Sequence, residues 1–450
     1  MASTSLADLP RDLLFNVLDL IPFADLRSLS TVNKHIRALT EPRLYSAVKA
    51  RWALHHTPPV VLLLRSILDR PELCRHIRAL HLEGEGFREN RELKEPPAFP
   101  LPAASITKAS ELILSTGVPH ARLWINELQS GTVDAVVATL LATLPNLTSL
   151  HLDPNFTVKS RLVGKMLTCA LCEPLGQYEL PTFRNLNHVT FSPRAKEYRH
   201  PDVNNTTDVL PLFYLPKIQF LTLSMDNPTT FAWPAHTPAP SSLTSLEIYR
   251  LREARIGSLL SVLGGLKRLH WHWFYSPALD QGVSNAIVEL DTVATALNRV
   301  RDTLTDLTIE AETQANLLVG DYDPPELEIR GSLNAMAYLG KLRRLCIPWV
   351  FLMGFSESSA RLRDPLPPSL ELLILTGDLD EHDDWEWDDD SIISAMKSEL
   401  ENQALSLPAN LRRIILPVPL PCGKLTKEME EEIKRIGANA NLELEWSTWN

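Results

Sequence analysis

The chain has 450 residues, 44% of them hydrophobic, and a formal net charge of −11. That length exceeds one ordinary compact core, so several domains or an elongated repeat array are expected. The apolar content excludes a disordered chain, and the acidic balance argues against a nucleic-acid binder, which needs a dominant positive footprint.

No run approaches about 18 consecutive apolar residues, so no membrane span is expected. The opening MASTSLADLPRDLL has no basic segment before its apolar stretch and carries acids within it, so it does not read as a secretory signal. The expectation is an intracellular protein, cytoplasmic or nuclear. In that setting the sequons at Asn146, Asn155, Asn204 and Asn205 stay unused, and five scattered cysteines are reduced thiols. Cys169 and Cys172 form a Cys-x-x-Cys with no second pair at zinc spacing, so idle or buried thiols are expected there.

Residues 1–48 open the chain with a helical module. Asp8 reads as an N-cap with Pro10 in the first turn, and Leu13, Leu14, Val17, Leu18 and Ile21 make an apolar stripe. Pro22 closes that helix, and Ala24 or Asp25 begins another carrying Leu26, Leu29 and Val32. A module this short cannot bury enough surface alone, so its apolar face needs the following residues or a partner. Residues 49–76 read as a helical linker.

From residue 77 to the end a hexad L-x-x-L-x-L recurs, with Ile, Val, Phe and Trp as allowed swaps. It appears as IRALHL at 77, LTSLHL at 147, LNHVTF at 186, IQFLTL at 218 and LTSLEI at 243. It continues as LKRLHW at 266, LTDLTI at 304, LRRLCI at 342, LELLIL at 370 and LRRIIL at 411, with a weaker copy expected around Leu123 in VPHARLWINEL. This is the leucine-rich-repeat signature, in which each unit adds one strand to a parallel sheet. The predicted fold class is therefore α/β: a short all-helical module, then a solenoid whose curved parallel sheet carries helices on its convex side. No unit buries its own apolar face, so stability comes from neighbours.

Helical periodicity fills the gaps: DAVVATLLATL, RIGSLLSVLGG, GSLNAMAYLG, SIISAMKSELENQAL, and VSNAIVELDTVATALNRV with Val283, Ile287, Leu290, Ala294 and Leu297 on one face. Hexad spacing is uneven, so the array is degenerate with loop insertions. A helix TKEMEEEIKRI stopped at Gly437 precedes a last strand containing Leu442, Leu444 and Trp446.

Strand alternation predicts Leu307, Leu345 and Leu373 buried, with Asp306, Arg344 and Leu372 on the concave side. That side also receives Tyr249, Arg268, His270, His272 and Arg413, a mix of aromatic and cationic groups suited to a protein target with carboxylate or phosphate groups. Within HWHWFY at 270, two histidines on one strand face are able to ligate metal. His81 and His151 share the hexad position of His270, but nothing in the repeat makes them converge, so the stretch reads as architecture and no metal or cofactor is expected. The acidic stretch DLDEHDDWEWDDD, 378–390, lacks the calcium-loop glycine and reads as a solvated loop. A docking role around Trp385 and Trp387 is its secondary reading. No phosphate-binding loop, nucleophile elbow or zinc-protease helix occurs, so no catalytic residue is expected.

The pattern Leu9-Pro10-x-x-Leu13-Leu14-x-x-Val17-Leu18, with Leu20-Ile21-Pro22, Asp25-Leu26, Ser28-Leu29 and Val32-Asn33-Lys34-His35-Ile36, resembles the F-box along residues 6 to 45. The Trp that many F-boxes carry near the third helix is absent, with Ile36 nearby. The continuation RPELCRHIRALHL resembles the entry into the repeats of fungal F-box proteins with degenerate leucine-rich repeats. The resemblance implies a non-catalytic substrate receptor of an SCF-type cullin ubiquitin ligase. On that reading Leu9, Pro10, Leu13, Leu14, Val17 and Leu18 contact a Skp-family adaptor, through it a cullin, and the repeats hold an unknown protein target. An adaptor-binding scaffold acting outside a ligase is the alternative.

Overall fold

The computed structural model describes residues 10–53, 56–85, 97–157, 159–192, 205–277, 279, 283–315, 323–357, 366–403, 407–417 and 426–447. They fall in two units, Met1–Pro193 with Tyr214–Ile218, and Arg194–Phe213 with Gln219–Asn450. No helix among the described residues is long and apolar enough to cross a membrane.

The first unit begins with three helices, α1 (Arg11–Asp19), α2 (Phe23–Leu29) and α3 (Lys34–Leu44). Pro10 stands at the N-cap of α1 rather than in its first turn, and the expected cap Asp8 lies outside the described residues. Pro22 likewise caps α2, which starts at Phe23, while α1 has already ended at Asp19. Proline suits these places because its fixed φ is compatible with helix entry and its missing N–H has no intrahelical partner there. Asn33 caps α3, its side-chain oxygen accepting from the Ile36 amide at 2.8 Å.

Leu14, Leu18 and Leu26 form the core of the three helices, with Phe15, Ile21, Leu29, Leu39 and Leu44 packed around them. Arg43 of α3 clamps α1, donating to Asp19 Oδ1 at 2.6 Å and to the Phe15 carbonyl at 2.9 Å. Arg70 donates to both carboxylate oxygens of Glu41 at 2.6 and 2.7 Å, tying α3 to the chain that follows. These hydrogen bonds hold the Glu41 carboxyl below its usual range.

Strands β1 (Ala47–Ala53), β2 (Ala79–Glu85), β3 (Ser149–Leu152) and β4 (His188–Phe191) follow, each paired in parallel with the next. The expected helical linker 49–76 therefore opens as a strand before its helix Pro59–Asp69. AVKARWA lacks the leucines of a hexad, yet Ala50 and Trp52 are buried on one face of β1. The weak repeat expected at Leu123 is a helix, Ala121–Gln129, one of three that fill the long gap between β2 and β3. Its Trp124 is buried and donates to Thr139 Oγ1 at 3.0 Å, which is the apolar signal that imitated a strand.

The second unit contains β5 (Phe220–Ser224), β6 (Ser245–Tyr249), β7 (Arg268–Tyr275), β8 (Ile287–Glu289), β9 (Asp306–Thr313), β10 (Glu328–Arg330), β11 (Arg344–Pro348), β12 (Leu372–Thr376), β13 (Arg413–Leu416) and β14 (Glu443–Trp446). Eight of them pair in parallel in the order β5-β6-β7-β9-β11-β12-β13-β14. Register aligns the middle apolar position of each hexad: Leu221, Leu246, Leu269, Leu307, Leu345, Leu373, Ile414 and Leu444 sit side by side. All eight are buried, so the hexad is a ladder in which each leucine covers the next. Leu307, Leu345 and Leu373 are inward as expected, Arg344 is exposed, and Asp306 and Leu372 are half-buried.

Two helical expectations shorten. The run from Val283 becomes a helix only at Leu290–Leu297, because Ile287–Glu289 pairs with Glu328–Arg330 in a separate two-stranded parallel sheet. GSLNAMAYLG forms a 3₁₀ turn, Asn334–Tyr338. Gly437 does not stop its helix, which runs Lys427–Asn439. A Cβ at Gly437 would meet the Leu442 carbonyl oxygen at 2.7 Å and Leu444 Cβ at 2.9 Å, so glycine lets β14 pack closely on the helix.

Candidate functional site

The helical module hides three leucines and exposes a different apolar set. Leu13, Leu20, Phe23 and Val32 are 52%, 85%, 61% and 65% exposed, four of the ten exposed large hydrophobic side chains among the described residues. Pro10 is exposed and Val17 half-buried, but Leu14 and Leu18, expected at the adaptor surface, instead fill the module's own core. The reason is helical phase: Leu14 and Leu18 lie one turn apart on the face toward α2 and α3, and Leu13 lies about 100° round the axis from Leu14. Leu9 lies outside the described residues. Burying a large apolar side chain is worth about 1.5–3 kcal/mol, a gain that the module itself does not take for these four.

On the sheet face opposite the leucines, Arg268 and Arg344 are exposed, with the Arg268 guanidinium 5.7 Å from the Phe220 ring centroid. Arg413 is half-buried and engaged, lying 3.6 Å from Glu443 and also paired with Glu445. Tyr249 and His272, expected at an exposed surface, are only 1% and 7% exposed. They are neighbours in register on β6 and β7, and their rings stack at 3.8 Å, each covering the other.

His270 and His272 converge with two carboxylates that sequence reasoning passed over. Register places Glu247 of β6 beside His270, and Glu310 of β9 beside His272. His270 Nε2 lies 2.8 Å from Glu310 Oε1, and His272 Nδ1 lies 2.6 Å from Glu310 Oε2. On the other side, Glu247 Oε1 is 3.8 Å from His270 Nδ1 and 3.3 Å from His272 Nε2. Tyr249 Oη donates to Glu247 Oε1 at 2.5 Å, and Thr222 Oγ1 donates to Oε2 at 3.1 Å.

The hydrogen bond from His272, against the effect of burial, brings the Glu247 carboxyl down to about 2. Burial alone would raise Glu310, yet the two imidazoles hold it well below the usual carboxylate range. For His272 burial favours the neutral ring, but its hydrogen bonds to both carboxylates raise it. Glu247, His270 and His272 each bring a ligand atom within 4.8 Å of the others. His81 and His151 also meet, on adjacent strands with ring centroids 5.8 Å apart.

The acidic stretch is anchored by a few buried side chains, while Asp380, Glu381, Asp383, Asp384, Glu386, Asp388 and Asp390 are exposed as a solvated loop would have them. Trp387 is buried, donating to the Gly354 carbonyl at 2.9 Å with its ring 5.2 Å from Trp349, so it offers no docking surface; Trp385 is half-buried. His382 is buried against Thr313, with Nε2 at 2.9 Å from its Oγ1. Asp378 Oδ2 accepts the Ala311 amide at 2.7 Å, and burial pushes its carboxyl up to about 6. A raised carboxyl favours the fold while protonated and loses that contribution as pH rises through the folded value. Asp378→Asn is therefore expected to raise the melting temperature, and by more at pH 8 than at pH 5, where only part of the wild-type penalty has developed. Equal melting of the two proteins at both pH values would refute this.

Cys169 and Cys172 are free thiols; burial pushes Cys172 up to about 12 and raises Cys169, leaving neither a ready nucleophile. Of the sequons, Asn155 and Asn205 are buried, and Asn204 lies outside the described residues.

The family model for the F-box domain matches residues 6–43. No curated protein matches the chain. Among solved structures, a chain of the crystal structure of the Rad7 and Elc1 complex in yeast is similar over 96% of this chain and 91% of that one, at 13% identity and a TM-score of 0.36. Sequence match, three-helix core and parallel strands agree: residues 6–43 are an F-box domain, followed along the chain by a repeat-like α/β solenoid.

Proposed function

We propose that this protein is a non-catalytic substrate receptor of an SCF-type cullin ubiquitin ligase. The observation that supports it is the split within the F-box: Leu14, Leu18 and Leu26 form its own core, while Leu13, Leu20, Phe23 and Val32 stay in water. Those exposed residues, with Leu9, Pro10 and Val17, are the surface for a Skp-family adaptor, which in turn carries the cullin. The leucine-rich repeats hold a protein target on the sheet face bearing Arg268, His270 and Arg344. Arginine on a β-sheet face pairs bidentately with carboxylate or phosphate, so an acidic or phosphorylated segment fits. Such a receptor needs no chemistry of its own, because holding a target lysine near a charged conjugating enzyme raises its effective concentration.

The test is isolation of the full chain from cells with quantification of co-isolated adaptor and cullin. Stoichiometric recovery of both is expected. Adaptor without cullin would favour a scaffold outside the ligase, and absence of both would end the receptor reading.

A further inference from the structure

We propose that Glu247, His270 and His272 form a binding site for one divalent transition-metal ion, best suited to Zn²⁺, with Glu310 as the residue that positions both histidines. None of these residues belongs to the F-box, although His270 also lies on the sheet face given above to the protein target.

Proton placement starts the argument. A carboxylate only accepts, so the ring nitrogens that face Glu310 at 2.8 and 2.6 Å, His270 Nε2 and His272 Nδ1, carry the N–H groups. In neutral imidazoles that leaves lone pairs on His270 Nδ1 and His272 Nε2, 3.8 and 3.3 Å from Glu247 Oε1. Three acceptor atoms then face one another, a repulsive arrangement unless a positive charge sits among them. One divalent ion supplies that charge and also neutralises the two carboxylates together; the alternative is a proton on each ring.

Distances separate the two. A charge-assisted N–H···O bond is short, about 2.7–2.9 Å, as the two contacts to Glu310 are. The contacts to Glu247, at 3.3 and 3.8 Å, are longer. Ligand atoms around a tetrahedral Zn²⁺, each about 2.0–2.2 Å from the metal, stand roughly 3.3–3.5 Å from one another; His272 Nε2 and Glu247 Oε1 are at that spacing, and His270 Nδ1, at 3.8 Å, needs only a small closing movement. A histidine whose other nitrogen donates to a carboxylate is also the usual metal-bound arrangement, and here one carboxylate serves both rings. Glu247 is itself held, by Tyr249 and Thr222.

The nitrogen-rich donor set favours Zn²⁺ over Mg²⁺ or Ca²⁺, which prefer oxygen. Three protein ligands leave a fourth position for water. Entry is open, because His270, Glu247 and Glu310 keep about a third to a half of their side-chain surface in solvent, whereas His272 is nearly enclosed.

Full-length protein without a histidine tag, stripped with chelator, is titrated with Zn²⁺ and, separately, with Co²⁺ while its visible absorption is recorded. Wild type is expected to take up one ion per chain with the absorption of a low-coordinate Co²⁺ site. The half-exposed pair Glu247→Gln and His270→Asn, combined and checked for folding by circular dichroism, is expected to lose that ion. Glu310→Gln, which keeps every ligand, is expected to weaken affinity by about 10–100-fold. Wild type binding no more metal than the folded double variant would overturn the site, and unchanged affinity in Glu310→Gln would overturn the role given to Glu310.

Discussion

Replacing Leu13, Leu20 and Phe23 together with Ala is expected to abolish capture of a Skp-family adaptor by the full chain while leaving its melting temperature unchanged. These side chains are 52%, 85% and 61% exposed, so their removal takes almost nothing from the fold. At an interface, anchors of this kind cost about 1–2 kcal/mol or more each when truncated, and every 1.4 kcal/mol is tenfold in affinity. The triple variant should therefore bind about 10²–10⁴-fold more weakly. Leu18→Ala makes the opposite case: it opens a cavity in the core with Leu14 and Leu26 and should destabilise the module by about 2–5 kcal/mol. If the triple variant holds adaptor as wild type does, the docking face lies elsewhere.

Arg252→Ala is expected to be the most damaging single change in the second unit. All five N–H groups of its buried guanidinium are used. Nε and Nη2 donate to the two Glu253 carboxylate oxygens at 2.9 Å each, Nη1 donates to Ser284 Oγ at 2.7 Å and the Asn285 carbonyl at 2.9 Å, and Nη2 also donates to the Ile287 carbonyl at 2.7 Å. Glu253 is buried too and accepts the Trp273 indole N–H at 2.9 Å. Removing the cation strands a carboxylate in the interior and frees the segment 284–287 that it holds. Breaking a buried pair in this way costs about 3–5 kcal/mol. For a unit of this size that is a fall in melting temperature of roughly 10 °C, measurable by calorimetry. A fall below about 2 °C would mean that water replaces the arginine without penalty, which the enclosed geometry does not allow.

All ten strong hexads lie on strands, and their middle apolar positions are buried. The pattern was legible because each leucine's burial depends only on a neighbour with the same pattern. Where the pattern fails, it fails for local reasons. β1 carries one alanine, Ala50, and one tryptophan, Trp52, at its buried positions, so no hexad announces it. VPHARLWINEL has strand-like apolar content, but Trp124 spends it inside a helix bundle.

The F-box residues were legible as a motif, not as a surface. Leu13, Leu14, Val17 and Leu18 span two adjacent helix faces, and only packing against α2 and α3 decides that Leu14 and Leu18 turn inward. The histidine–glutamate cluster was present in the aligned hexads, since LTSLEI sets Glu247 beside His270, and the residue after LTDLTI, Glu310, falls beside His272. Comparing histidines only with histidines hid it. Burial of Tyr249 and His272 was not legible, because it arises from ring stacking between strands that composition does not encode.

Hydrogen exchange of the full chain, with and without a purified Skp-family adaptor, tests docking most directly. The expected result is slowed exchange confined to peptides covering residues 11–33, with the strands β5 to β14 unchanged. Unaltered exchange throughout residues 11–44 at saturating adaptor, or protection confined to the repeats, would contradict it.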